Sequence, residues 1–374
     1  MPQNSGAGPA AGLYARLRRY LLPALVFQSI VIGGGYGTGR ELVEFFLLYG
    51  PRGGLMAMLG PTLVLTTLCC MVGFEFARRH RAYDYRSFFG RLLGPGWVLY
   101  EVTYLVFIVV VMAVLGSAAG NFLRETFGMP YAVGVVGLLL AVAFLVFRGS
   151  DTIERVLATW SLVLYAVYLV FFIWSVSSFG EQTAAALRIE TVEPGWIGAG
   201  ARYAAGCVGL LPAMLFATRH IETRREALWA GFLAGPITLA PALLFYFAML
   251  GQYPEILGRP VPANHLLEVL GSRTFQVVFQ VMLFGTLIET GSGLIHAFNE
   301  RLAETLQRSG RAMPRAARPA IALGLLVGAA ALARVGIVEL IAKGYGTITW
   351  AFVLLVIVPL LTVGTWQIVR RPNA

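Results

Sequence analysis

The stretch "IVIGGGYGTGRELVEFF", residues 30–46, sets five glycines, a threonine and two adjacent charges inside an otherwise apolar run. Gly33, Gly34, Gly35, Gly37 and Gly39 disfavour continuous helix, because glycine in a helix interior is about 1 kcal/mol worse than alanine. The segment is expected to unwind and leave amides and carbonyls without intrahelical partners. Thr38 and Glu41 have the spacing of a capping box. That spacing predicts a helix restarting at about Gly39, with Thr38 accepting from a freed amide and Glu41 reaching back to the Thr38 amide. Amides at such a helix start suit a carboxylate, and carbonyls of the unwound turn suit an ammonium or metal cation. Tyr36, at the break, is placed to lay its ring on a solute. The same glycines also suit simple close packing of membrane helices.

Arg40 and Glu41 each cost about 2.5–3.5 kcal/mol at the centre of a helix in lipid, so both are expected to face a cavity and find partners. Glu44 lies one turn beyond Arg40 and is its expected ion-pair partner, leaving Glu41 to cap. Arg40 then gates an external path or touches solute. If this half-helix lies near the outer surface, Arg40 instead snorkels to headgroups.

A second set lies in "FGTLIETGSGLIHAFNERL". Glu289 sits deep in this run, with Thr286 one turn before it and Thr290 and Ser292 beside it. Hydroxyls and a carboxylate are hard oxygen donors suited to sodium, while the carboxylate alone can carry a proton. For Thr290 and Ser292, a hydroxyl bonded back to its own helix is the structural alternative. His296 reads as a packing residue.

The elements that carry these residues follow from composition. The 374-residue chain is 57% hydrophobic and 13% charged, and apolar runs long enough to span a bilayer recur from Leu21 to Val369. This predicts an all-α polytopic membrane protein with about ten spans and no soluble domain. The spans are placed at about 21–49, 54–77, 97–123, 130–147, 156–179, 196–218, 226–250, 271–299, 319–334 and 345–369. Residues 1–20 read as a disordered cytoplasmic N-terminus. The Arg16, Arg18, Arg19 cluster resembles the start of a signal peptide, but no small-residue cleavage site follows, so the first span is read as retained.

Counting the first segment as cytoplasmic places 20 of the 29 basic residues on one side, which predicts that both termini are cytoplasmic. The net charge of +10 then reflects loops facing an anionic leaflet rather than nucleic-acid binding. Glu75 and Glu101 fall near the cytoplasmic ends of their spans and are expected to pair with the basic loop. Cys69, Cys70 and Cys207 all fall within spans and give no disulfide or metal framework.

The chain also repeats. The sixth span, "YAAGCVGLLPAMLF", has its Gly206, Gly209 and Pro212 breakers about 173 positions after those of the first. Gly206, Cys207 and Gly209 are expected to line a second unwound segment, with Pro212 opening the restarted helix. Residues 21–179 and 196–369 read as two five-helix repeats, and an odd number of spans forces the second to run inverted. That pattern, with each half opening on a broken helix, is expected of a secondary transporter binding near the midplane. There is no Walker loop, HExxH or Cys/His cluster, so no enzyme activity and no cofactor beyond a coupling ion is expected. A channel or non-transporting sensor is the competing reading. The expected solute is small and amino-acid-like, or otherwise zwitterionic or amine-bearing. The loop "GQYPEILGRPVPANHLLEVLGSR" either caps the external vestibule or merely connects.

The segment "GGGYGTGRELVEFF" resembles the glycine-rich, acidic start of the bacterial YkvI-type membrane proteins, and "ETGSGLI" is similar to their serine/threonine-glycine segment. The likeness extends, more loosely, over nearly the whole chain. It implies the LeuT fold of the amino acid–polyamine–organocation superfamily in a bacterial inner membrane, with the first and sixth helices unwound around a central site. By that resemblance, backbone from Gly33 to Gly39 touches solute, and a sodium site would use backbone near Ile32 and Gly35 with the Thr290 hydroxyl. Glu289 stands where that pattern has a hydroxyl residue, which leaves proton coupling open.

Overall fold

The computed structural model describes residues 17–370 other than 149, 309, 311–313, 315 and 316, so most of the expected N-terminal tail lies outside it. Apolar sequence in lipid must satisfy its backbone internally, and the chain does so with helices. Among the described residues there is no strand. The first expected span is three pieces, α1 (Leu22–Val31), the single turn α2 (Gly34–Gly37) and α3 (Arg40–Phe45). It is followed by α4 (Pro51–His80), α5 (Tyr85–Leu93), α6 (Trp97–Phe127), α7 (Tyr131–Arg148) and α8 (Ser150–Leu187). The second half of the chain holds α9 (Trp196–Gly209), a 3-10 helix (Leu211–His220), α10 (Arg224–Leu250), α11 (Pro262–Val269), α12 (Arg273–Arg308), α13 (Ala317–Ala333) and α14 (Ile337–Arg370).

Among the described residues, six stretches are long and apolar enough to cross a membrane: Pro51–His80, Tyr85–Phe127, Val163–Leu187, Arg224–Leu250, Arg273–Asn299 and Ile337–Arg370. Trp196–Gly209 and Ala213–His220 form a pair bent by 67°, and Leu22–Val31, Tyr131–Phe147 and Ala320–Ala333 are shorter apolar helices. Side chains such as Leu140, Phe147 and Leu354 stay largely exposed on the outside, as a surface meeting lipid tails requires.

Three boundaries differ from expectation. The helix expected at 156–179 runs on to Leu187 past a non-helical Phe179, and that expected to end at 299 continues to Arg308. The basic segment after α4 contains the helix α5, capped by Asp84 accepting from the Ser87 amide at 2.9 Å and burying Phe88 and Phe89. The buried stripe of Tyr85, Phe88, Phe89 and Leu92 at helical spacing outweighs the charges that marked it as loop.

The helices pack in two groups. The first joins α1, α4, α9 and α10; the second joins α6, α7, α12 and α13, and α8 bridges α10 and α12. The α4–α10 contact is close because Gly231 and Gly235, four residues apart, present no side chain. A Cβ on Gly231 would lie 2.5 Å from the Met71 backbone nitrogen, and one on Gly235 only 2.0 Å from Thr67 Oγ1. At one end of the bundle, Arg19 binds Glu222 at 2.7 Å and Glu226 at 3.1 Å. Glu226 also completes a capping box with Thr223 at the start of α10. Glu75 pairs with Arg78 at 2.7 Å, in the basic segment where its partner was expected.

Candidate functional site

The glycine run is less open than its composition implies. Helix α1 stops at Val31, and Ile32 leaves helical geometry at φ −72°, ψ 85°. Gly34–Gly37 then closes one helical turn, with the Gly37 amide donating to the Gly33 carbonyl at 2.8 Å. Gly39 adopts φ +82°, the left-handed region open to glycine, and α3 starts at Arg40. The capping box expected from Thr38 and Glu41 does not form. The left-handed residue between them turns the chain, and Thr38 Oγ1 instead accepts from the Arg40 amide at 3.4 Å. The Thr38 carbonyl accepts from the Ala263 amide of α11 at 3.0 Å.

The sixth segment is likewise corrected. α9 remains helical through Gly206, Cys207 and Gly209, and the bend falls at Leu210, where the 3-10 helix takes over with Pro212 in its first turn. Gly209 does not offer its backbone to a ligand: its carbonyl accepts from the Tyr100 hydroxyl at 2.9 Å. A Cβ on Gly209 would meet the Phe352 ring at 2.6 Å, so close approach of α14 explains this glycine.

Between the two interrupted segments lies a small, partly open cavity. The ends of α1 and α3 contribute Gly33, Glu41 and Phe45, and α9 contributes Tyr203, Gly206 and Cys207. α6 adds Phe107 and Val111, α12 adds Thr290 and Leu294, and α14 adds Tyr345 and Thr349. Of the expected site residues, this cavity therefore gathers Gly33, Glu41, Gly206, Cys207 and Thr290.

The others lie around it. Tyr36 is fully buried, its ring 6.5 Å from that of Tyr168, and does not line the cavity. Gly37 packs against Leu283 and its carbonyl accepts from the Tyr168 hydroxyl at 3.3 Å. Gly34 and Gly35 belong to the turn α2. Arg40 is buried, forms an ion pair with Glu44, and donates to the carbonyls of Leu257 at 2.8 Å and Arg259 at 3.2 Å. It holds the loop before α11 onto α3 rather than reaching headgroups, so that loop is fastened across the break.

The oxygen cluster sits where the end of α1 meets α12. Thr290 Oγ1 donates to the Ile32 carbonyl at 3.3 Å, and a Cβ on Gly33 would lie 3.2 Å from Thr290 Cγ2. Buried Glu289 accepts from the Ser29 hydroxyl at 3.1 Å. The Ser292 hydroxyl is buried without a hydrogen-bond partner among the described residues, and Thr286 bonds back to the Met282 carbonyl at 3.0 Å. The Ile32 carbonyl and the Thr290 hydroxyl are two oxygens fit for a small cation.

Sequence reasoning missed the aromatic walls and Ser29. Tyr203 lies one turn before Gly206, the only local signal for it. Phe107 comes from an apolar run with no polar or glycine signature and is brought in by tertiary packing alone, whereas Tyr345 and Thr349 lie in "KGYGTIT", whose glycines and hydroxyls were the signal that could have marked them.

No family model matches the chain. Over 298 residues it is 24% identical to the uncharacterized membrane protein YkvI of Bacillus subtilis (strain 168), covering 76% of this chain and 81% of that protein. The structure of MhsT in complex with L-phenylalanine superposes with a TM-score of 0.65 at 16% identity, covering 92% of this chain and 87% of that one. A Na+-coupled sialic acid symporter, solved in a substrate-bound outward-open state, gives a TM-score of 0.57 at 13% identity over 94% and 86% of the two chains. The chain is thus an all-helical membrane protein that resembles YkvI and shares the LeuT-like fold of these two solved proteins.

Proposed function

We propose that this protein is a secondary active transporter that moves a small amine-bearing solute, amino-acid-like or simpler, by alternating access. One observation carries the reading: the cavity lies where the interrupted first and sixth segments meet, walled by six helical elements and holding a carboxylate. Interrupted helices leave a site near mid-bilayer that a rearrangement of the surrounding helices opens to either side. The fold likeness supports the same reading, since one neighbour is named a Na+-coupled symporter and the other was solved with an amino acid.

Coupling is assigned to the cluster beside α1. The Ile32 carbonyl and Thr290 hydroxyl would hold sodium as neutral oxygen donors, and Glu289, bonded by Ser29, is the group that would carry a proton. Either ion would tie the end of α1 to α12 and so couple ion occupancy to the α1 break. The chain is assigned to the bacterial cytoplasmic membrane with both termini inside. Residues 21–179 and 196–369 are read as its two inverted halves.

Reconstitution in proteoliposomes tests the proposal. Saturable solute counterflow that depends on a sodium or proton gradient is expected; unsaturated conductance would replace the carrier with a channel.

A further inference from the structure

We propose that the cavity selects a solute whose only formal charge is an ammonium group, and that Glu41 is the residue that makes the selection. The inference rests on the transport reading only for the steps after binding. Glu41 is the one charged side chain among the fifteen that line the cavity. Released from the expected cap, it makes no ion pair among the described residues.

Every neighbouring charge is engaged elsewhere. Arg40 is turned to Glu44 and to the carbonyls of Leu257 and Arg259. Arg202 of α9 lies over the Phe45 ring at 5.8 Å and donates to the Tyr49 hydroxyl. Lys343 pairs with Glu339 at 2.6 Å on the exposed surface, and Glu289 lies outside the lining with Ser29.

A carboxylate in such surroundings needs a positive partner, because an unpaired charge away from bulk water is costly. The walls supply the rest of a cation site. Phe45 and Tyr203 meet edge to face with ring centroids 5.6 Å apart, and Phe107 and Tyr345 are tilted at 5.6 Å. Aromatic faces attract an ammonium and strengthen as water is excluded. A solute that adds a carboxylate finds no cation among the lining residues to receive it, and a neutral solute leaves Glu41 unpaired.

The test uses the purified full chain in detergent, with four probes: phenethylamine, 2-phenylethanol, phenylalanine and tetramethylammonium. Binding is read by calorimetry and by ligand-induced rise in melting temperature. Phenethylamine is expected to bind at least about tenfold tighter than the alcohol or the zwitterion, with tetramethylammonium also binding. Glu41→Gln should erase that preference and Glu41→Asp should keep part of it. Binding of phenylalanine or the alcohol as tightly as the amine, retention of amine affinity in Glu41→Gln, or no amine binding at all would overturn the proposal.

A second measurement needs no variant at Glu41. Cys207 lines the same cavity, so a cationic aminoethyl methanethiosulfonate should modify it faster than the anionic sulfonatoethyl reagent, with Cys207→Ser setting the background. Equal rates, zero included, count against the cation site. Amine binding without uptake in proteoliposomes would remove transport and leave this inference standing. Gradient-driven uptake of a zwitterion by the unmodified protein, with no amine binding, would do the reverse.

Discussion

Replacing Arg40 with methionine strands a carboxylate and frees a loop, and the two effects can be separated. The Arg40 and Glu44 side chains are only 6% and 12% exposed, so neither charge is well served by water. Removing one member of a buried pair costs about 3–5 kcal/mol, most of it the penalty on the partner left behind. The carbonyls of Leu257 and Arg259 also lose their donor, at about 1 kcal/mol each where water cannot replace it. Arg40→Met alone should therefore destabilise by about 4–7 kcal/mol. The double variant Arg40→Met/Glu44→Met removes both charges and keeps only the carbonyl loss, about 1–2 kcal/mol. Glu44→Met alone should be milder than Arg40→Met, because Arg40 keeps two carbonyl acceptors. Unfolding in mixed micelles gives the double-mutant cycle, and hydrogen exchange over residues 252–270 reports the loop. If the double variant is as unstable as Arg40→Met, or loop exchange is unchanged in both, Arg40 does not hold the loop through this pair.

Four further outcomes are expected. Glu289→Gln should abolish the ion dependence of uptake while Thr290→Val weakens sodium dependence alone; uptake with unchanged ion dependence in both would remove this cluster from coupling. Gly39→Ala should cost about 2–4 kcal/mol, combining a left-handed backbone with crowding of Phe245, Pro262 and Met249 at 3.0–3.2 Å, as read by melting temperature. Tyr100→Phe leaves the buried Gly209 carbonyl unpaired and should cost about 1–3 kcal/mol, with faster exchange confined to the α9 bend. On α11, burial holds the His265 imidazole below its ordinary value, Arg259 adding to this and Glu255 opposing it. The folded state therefore prefers the neutral ring: its contribution is complete above about pH 6.5 and is lost as pH falls below that. Loop exchange measured between neutral and acidic pH should show this, and His265→Gln should flatten it.

Local sequence carried the segment order well. Hydropathy marked the apolar stretches because lipid leaves the backbone no partner but itself, and the glycine run marked where α1 gives way near Ile32. It also set Arg40 one turn from Glu44, and their pair follows from helical periodicity alone. It failed where two local rules competed. The Thr38–Glu41 spacing reads as a cap, but Gly39 at φ +82° redirects the chain and turns Glu41 to the cavity. Gly206 and Gly209 read as an unwound turn, yet a neighbouring aromatic ring and a tyrosine hydroxyl account for Gly209, and the bend falls one residue later.

What the sequence by itself determined is therefore the class of molecule and the residues able to do chemistry: a helical membrane chain, two interrupted segments, and carboxylates too costly to be idle. What only the tertiary structure decided is which of those residues share a space. Glu41 shares a cavity with Tyr203, Cys207 and Tyr345, while Glu289 is drawn to Ser29 outside its lining. The physical reason is that a side chain's partners across a helix bundle depend on rotation and approach of whole helices. Close approach is permitted by glycines such as Gly209 against Phe352, and Gly231 and Gly235 between α4 and α10, whose partners lie far away in the sequence.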